Sequence, residues 1–206
     1  MNRIGFLLAA SMTLAACETP RGVTRTLDHD NQPTKRFTHC TAFACNVQWN
    51  LVFSQAQWDE IGAFFKDTRD ADDERRRIEK AMSRFEQIAG AMDGTDKDKG
   101  GTGLIWRDTS PGQLDCYAEA SNTGVALRMM YASGFLKFHK PGPQGMRGPL
   151  FSGTALLDHA TATIIENADG HRFAVDSWFF DNGGPVFVVD FDTWQHSWHP
   201  EGGADN

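Results

Sequence analysis

Three side chains in this sequence can together carry out acyl chemistry: Cys116, His159 and Asp176. A cysteine sulfur attacks a carbonyl carbon, an imidazole takes the thiol proton and returns it to the leaving group, and a carboxylate fixes the imidazole tautomer. Cys116 follows Asp115, a good N-cap residue, and the run to Tyr131 carries few helix breakers before Ser133-Gly134. The pattern predicts a helix with Cys116 in its first turn, where the unpaired N–H groups and the positive end of the helix dipole favour thiolate over thiol. The Cys116 backbone N–H and the Gln113 side-chain amide are candidate donors to an oxyanion. The competing structural reading of Cys116 is a buried core thiol.

The other two residues need strands. Thr154 to Glu166 and His171 to Trp178 are β-rich runs separated by the turn sequence Asn167-Ala168-Asp169-Gly170, which predicts a hairpin. With those four residues as the loop, Glu166 faces His171 and Thr161 faces Asp176. His159 then shares a face with Thr161 and lies diagonal to Asp176, at a Cα separation of roughly 7–8 Å, within reach of a carboxylate–imidazole contact. A one-residue slip would put the two on opposite faces.

Composition narrows the class. Of 206 residues, 40% are hydrophobic and 23% charged, values of a globular chain long enough to bury a core. The formal net charge of −7 argues against a nucleic-acid partner. Residues 1–16 open with Arg3 and continue as an apolar stretch too short to span a bilayer comfortably, as a secretory signal does. Leu14-Ala15-Ala16-Cys17 resembles the lipobox of bacterial lipoproteins. That resemblance implies lipidation of Cys17, attachment to a membrane through acyl chains and, with Glu18 next, an outer-membrane location facing the periplasm. A lipidated Cys17 leaves Cys40, Cys45 and Cys116. Cys40 and Cys45 are close enough in sequence to form a disulfide in an oxidising compartment, leaving Cys116 as the thiol. A bridge from Cys116 to either one is the alternative, and it would remove the nucleophile.

The remaining elements read in order. Residues 17–36 form a polar tether with Pro20, Gly22 and Pro33. The domain is expected over 37–200, divided into an N-terminal strand and helices (37–95) and a Cys/His/Asp core (96–200), with a fraying tail at 201–206. Asn46 to Phe53 alternates as a strand, and Ser54 with Gln57 forms a capping-box pair opening a helix whose face is Trp58, Ile61, Phe64 and Phe65. A second amphipathic helix carries Ile78, Met82, Phe85, Ala89 and Met92 on one face. Asp96, Asp98 and Gly101 sit at calcium-loop spacing, but Arg107 stands where a bidentate Glu is required, so the segment reads as a polar turn with no metal. Leu104-Ile105-Trp106 reads as a short buried segment and Phe135 to His139 as a strand. Pro141 to Pro149 is too rich in breakers for a regular element, and Val186 to Phe191 is an apolar strand whose end Trp194 and Trp198 cover. His196 and His199 read as surface residues.

Asp115-Cys116 at a helix start, His159-Ala160 on one strand and Val175-Asp176-Ser177-Trp178 on the next resemble the transglutaminase-like branch of the papain-like cysteine enzymes, over about residues 100 to 190. The resemblance implies an α+β fold, with the Cys helix packed on an antiparallel sheet and an N-terminal helical segment. It also implies a thiol-dependent hydrolase or acyltransferase of the cysteine protease type, catalytic Cys116, His159 and Asp176, a protein or peptide substrate such as a peptidoglycan peptide, and no cofactor. Cell-wall peptidases of the NlpC type also begin a helix with Asp-Cys, and His171 has the spacing of their third residue. In the inferred register, however, His171 faces away from His159. A non-catalytic lipoprotein that uses the same fold to bind a periplasmic partner is the reading from a different class.

Overall fold

The computed structural model describes residues 35–102, 112–148, 159–196 and 198–204. The expected leader, Cys17, the tether up to residue 34, the Leu104–Trp106 segment and the first residues of the expected 154–166 strand lie outside the described residues. Within them the fold is α+β, with antiparallel sheets and four α-helices. No helix among them is long and apolar enough to cross a membrane.

The chain enters as a two-stranded antiparallel sheet, β1 (Arg36–Thr41) on β2 (Val47–Val52), with Phe37 opposite Leu51 and Cys40 opposite Gln48. Arg36, expected in the tether, is thus the first residue of β1, and Lys35 O accepts from Phe53 N–H at 3.0 Å. The capping box at Ser54 and Gln57 opens α1 (Gln55–Ala63), which buries Trp58 and Ile61. Asp70 caps α2 (Ala71–Asp93), and Gly94, at φ 89°, closes it in the left-handed region. Its inner face buries Ile78, Met82, Phe85 and Ala89 as the spacing predicts, but Met92, in the last turn, is exposed.

Helix α3 (Cys116–Ala132) follows, then β3 (His139–Pro141) and β4 (Gly145–Arg147). The strand expected over 135–139 therefore begins only at its last residue. The segment expected to lack regular structure holds a three-residue strand, too short for its proline and glycine neighbours to exclude. Strands β5 (His159–Glu166), β6 (Arg172–Asp176) and β7 (Phe187–Asp190) complete a five-stranded sheet in the order β3-β5-β6-β7, with β4 also paired to β5. The β5–β6 register is the inferred one: Ala162 lies opposite Val175, and Glu166 N–H donates to His171 O at 2.8 Å. Gly170, at φ 79°, supplies the left-handed turn residue.

Phe191, expected to end a strand, instead begins the short helix α4 (Phe191–Gln195), because Asp190 turns outward and accepts from Thr193 N–H. Residues 201–204, expected to fray, are held by the bond from Ala204 N–H to Phe179 O at 2.9 Å. The main core lies between α1, α2, α3, the β1–β2 hairpin and the inner residues of β5 and β6. Phe37, Phe53 and Phe85 meet there at ring separations of 4.9–5.1 Å. Strand β5 is buried on both faces, so the hydroxyls of Thr161 and Thr163 need partners, which they find in Val175 O and Pro143 O.

Candidate active site

Helix α3 begins where the sequence places it, and three separate segments hold its start. The Asp115 carboxylate accepts from Ala118 N–H at 2.8 Å as an N-cap and from Ala44 N–H at 2.7 Å. Ala44 belongs to the loop closed by the Cys40–Cys45 disulfide, in which Ala42, Ala44 and Cys45 all have positive φ without being glycine. On the opposite side, Leu114 N–H donates to Asp98 Oδ1 at 2.7 Å. Two turns further on, Asn122 binds both the N–H and the carbonyl of Cys40. The thiol is thus fixed by an oxidised loop on one side and a buried carboxyl on the other.

Gln113, a candidate oxyanion donor, is committed elsewhere. Its amide donates to Lys97 O at 2.8 Å and accepts from Lys99 N–H at 3.2 Å, so it braces the 97–99 turn and does not serve the site.

His159 is the first residue of β5, and Asp176 the last of β6. His159 Nε2 lies 2.7 Å from Asp176 Oδ2, which also accepts from Trp194 Nε1 at 2.7 Å, while Oδ1 accepts from Trp178 N–H at 3.3 Å. A carboxylate that already accepts from two other donors takes a third from the imidazole, which puts the proton on Nε2 and the lone pair on Nδ1. That Nδ1 is buried and has no hydrogen-bond partner among the described residues. The rings of Trp178, Phe179 and Trp194, at 4.8–5.5 Å, enclose the imidazole.

Cys116 keeps its thiol. It lies in one apolar group with Ala160, Trp178 and Phe179, and the Ala160 N–H hydrogen-bonds to it. The thiol therefore meets the backbone of the residue directly after His159, beside two of the rings that enclose the imidazole. Burial pushes the thiol up to about 12, and the charges of Asp115 and Asp176 add to the rise. The expected thiolate at a helix start does not form in this resting arrangement, since loss of solvation outweighs the helix dipole.

Two buried carboxyls, Glu86 and Glu119, are absent from the sequence-based candidates, and Asp98, expected in a polar turn, is buried with them. Glu119, one turn after Cys116, accepts from Ser177 Oγ at 2.9 Å and pairs with Asp98. Glu86 accepts from Gly183 N–H at 3.2 Å, while its Oε1 has no partner among the described residues. Burial raises Glu86 and Glu119 well above the usual carboxyl range and takes Asp98 to about 7, so burial favours the protonated form throughout this cluster. No group among the described residues has the arrangement of a metal site. His171 pairs with Asp190 at 2.7 Å, away from His159, and His196 and His199 are exposed.

No protein-family model, curated protein or solved structure matches this chain.

Proposed function

We propose that this protein is an outer-membrane lipoprotein anchored through Cys17, with a transglutaminase-like thiol hydrolase or acyltransferase site formed by Cys116, His159 and Asp176. The observation that carries the reading is the His159 ring. One nitrogen is fixed on a buried carboxylate, and the other is buried and without a partner among the described residues, next to the strand residue that meets the Cys116 thiol. A nitrogen in that condition is a proton acceptor held ready.

Because the thiol rests neutral, the first step is general-base catalysis and not attack by a stored thiolate. His159 Nδ1 takes the Sγ proton as Sγ bonds to the carbonyl carbon of an amide, and the electron pair of the carbonyl moves onto oxygen, facing the positive end of α3. When the carbonyl reforms, the C–N bond breaks, and the imidazolium gives its proton to the departing amine. The thioester left on Cys116 is then attacked by water or by a second amine, whose proton passes to the same Nδ1; as the carbonyl reforms, the C–S bond breaks and the imidazolium returns that proton to Sγ. Asp176, held by Trp194 and Trp178, stabilises the imidazolium throughout.

A non-catalytic protein that binds a periplasmic partner is the second reading, favoured by the same burial that holds the thiol at about 12. Labelling with an electrophilic cysteine probe separates the two. The catalytic reading expects labelling of the wild type that vanishes in Cys116→Ala and falls strongly in His159→Ala. Labelling of His159→Ala at the wild-type rate overturns it. For the anchor, Cys17→Ser is expected to release the protein from membranes, and continued attachment would count against lipidation.

A further inference from the structure

Arg147 is the one charged residue of β4, and the sequence reading passed over it. Strand β4 pairs with β5 so that Arg147 lies directly opposite His159, which sends both side chains out on the same face of the sheet. Its guanidinium donates through Nη1 to Trp194 O and Trp198 O, both at 2.7 Å, and lies 4.7 Å from the Trp194 ring and 5.8 Å from that of Phe179. Those two rings also enclose the His159 imidazole.

Arg147 is only 9% exposed, and among the described residues its hydrogen bonds go to neutral carbonyls and not to a carboxylate. The nearest anion of the site, Asp176, already divides its oxygens among His159, Trp194 and Trp178. With no carboxylate in contact among the described residues, this desolvated cation is costly, and its field acts on Cys116 and Asp176. Two carbonyls and an aromatic face fix its position without neutralising its charge.

We propose that Arg147 recognises a carboxylate of the substrate beside the reacting acyl carbon, so that the site prefers anionic acyl substrates over neutral ones. This rests on the catalytic reading of Cys116. A fixed guanidinium attracts and orients a carboxylate near the thiol, and planar two-point recognition suits it to that group.

The test compares alkylation of Cys116 by iodoacetate and by iodoacetamide, reagents that differ in a carboxylate against a neutral amide. Full-length protein in detergent is used, with modification read by mass at the Cys116 peptide. The wild type is expected to favour iodoacetate relative to a small thiol in the same buffer. Arg147→Met should lower the iodoacetate-to-iodoacetamide ratio about tenfold. Arg147→Lys, which keeps the charge but loses the planar fork on the two carbonyls, should hold the ratio within about threefold of wild type. If Arg147 only propped the Trp194 and Trp198 carbonyls, the Lys variant would behave like Met, an outcome that overturns the proposal. A ratio unchanged in Arg147→Met, with Cys116 still alkylated, overturns the proposal alone. Cys116 inert to both reagents overturns the catalytic reading and this one with it. Slowing of the iodoacetamide reaction by N-acetylalanine names a chain-terminal carboxylate as the group bound, and slowing by N-acetylaspartate α-amide names an acidic side chain.

Discussion

Among the described residues His39 pairs with Asp93 at 2.6 Å, and two further buried histidines, His139 and His159, each pair with a buried carboxylate and differ in what the rest of the ring meets. His139 Nδ1 lies 3.0 Å from Glu74, and its Nε2 lies 3.1 Å from the Arg75 guanidinium. Glu74 in turn accepts from the backbone N–H groups of Lys137, Phe138 and His139 at 2.7–3.0 Å. Every strong group in that pair is used, and the result ties α2 to the start of β3. His159 is buried to nearly the same extent, yet among the described residues only its Nε2 is engaged. The first pair holds elements together. The second keeps one nitrogen in reserve, at the cost of a buried polar atom without a partner. Saturation therefore marks the structural pair, and the vacancy marks the candidate site.

The largest effect should come from emptying the saturated pair. Glu74→Ala leaves three backbone N–H groups and a buried imidazole without their acceptor, and is expected to cost about 3–5 kcal/mol in denaturant unfolding. A loss under about 1 kcal/mol would break the distinction. At the reserved pair the loss should fall on reactivity: His159→Ala is expected to slow Cys116 labelling by about a hundredfold, the usual scale of a general base. His139→Ala, provided it folds, should leave that rate near wild type.

Smaller effects sharpen the same contrast. Opening the disulfide in Cys45→Ser releases the loop that donates to Asp115, and should cost about 2 kcal/mol in stability. Trp194→Phe removes one donor from Asp176 and should cost about 1 kcal/mol, with labelling slowed several-fold. The buried carboxyls supply the last test. Glu86 has an unpartnered Oε1 and, through burial, binds its proton more tightly folded than unfolded. Such a group contributes stability in full below its unfolded value, and loses it as pH rises through the folded one. Asp98, taken to about 7, and Glu119 act in the same direction, so unfolding free energy should fall between about pH 5 and pH 8. Glu86→Gln, which mimics the protonated form, should flatten that slope, whereas Glu74→Gln should destabilise at both pH values.

How much of this was legible depended on whether a feature was local. The His159–Asp176 face followed from alternation along two strands and the Asn167–Gly170 turn, both short-range signals. The α3 start followed from Asp115. Strand β1 was missed because Arg36 read as the end of the tether, and Thr38 and His39 carry no strand signal of their own until β2 pairs with them. Arg147 was hidden by the prolines and glycines around a three-residue strand, and the Trp194 donor to Asp176 depends on a helix packing back over the sheet. Asp190 with Thr193 was an available cap signal for that helix. Glu86, Asp98 and Glu119 were invisible because carboxyls are taken as exposed until a fold buries them. The same burial reversed the expectation for the Cys116 thiol, since a helix start is visible in sequence and desolvation is not.

The central claim is that His159 Nδ1 receives the Cys116 proton. The most direct measurement is the rate of Cys116 alkylation by iodoacetamide across pH in the wild type and in His159→Ala. The account predicts a wild-type rate already well above that of the variant at neutral pH. In His159→Ala the rate should fall and climb only towards the alkaline range of the buried thiol, about 12. Superimposable profiles for the two proteins would contradict it.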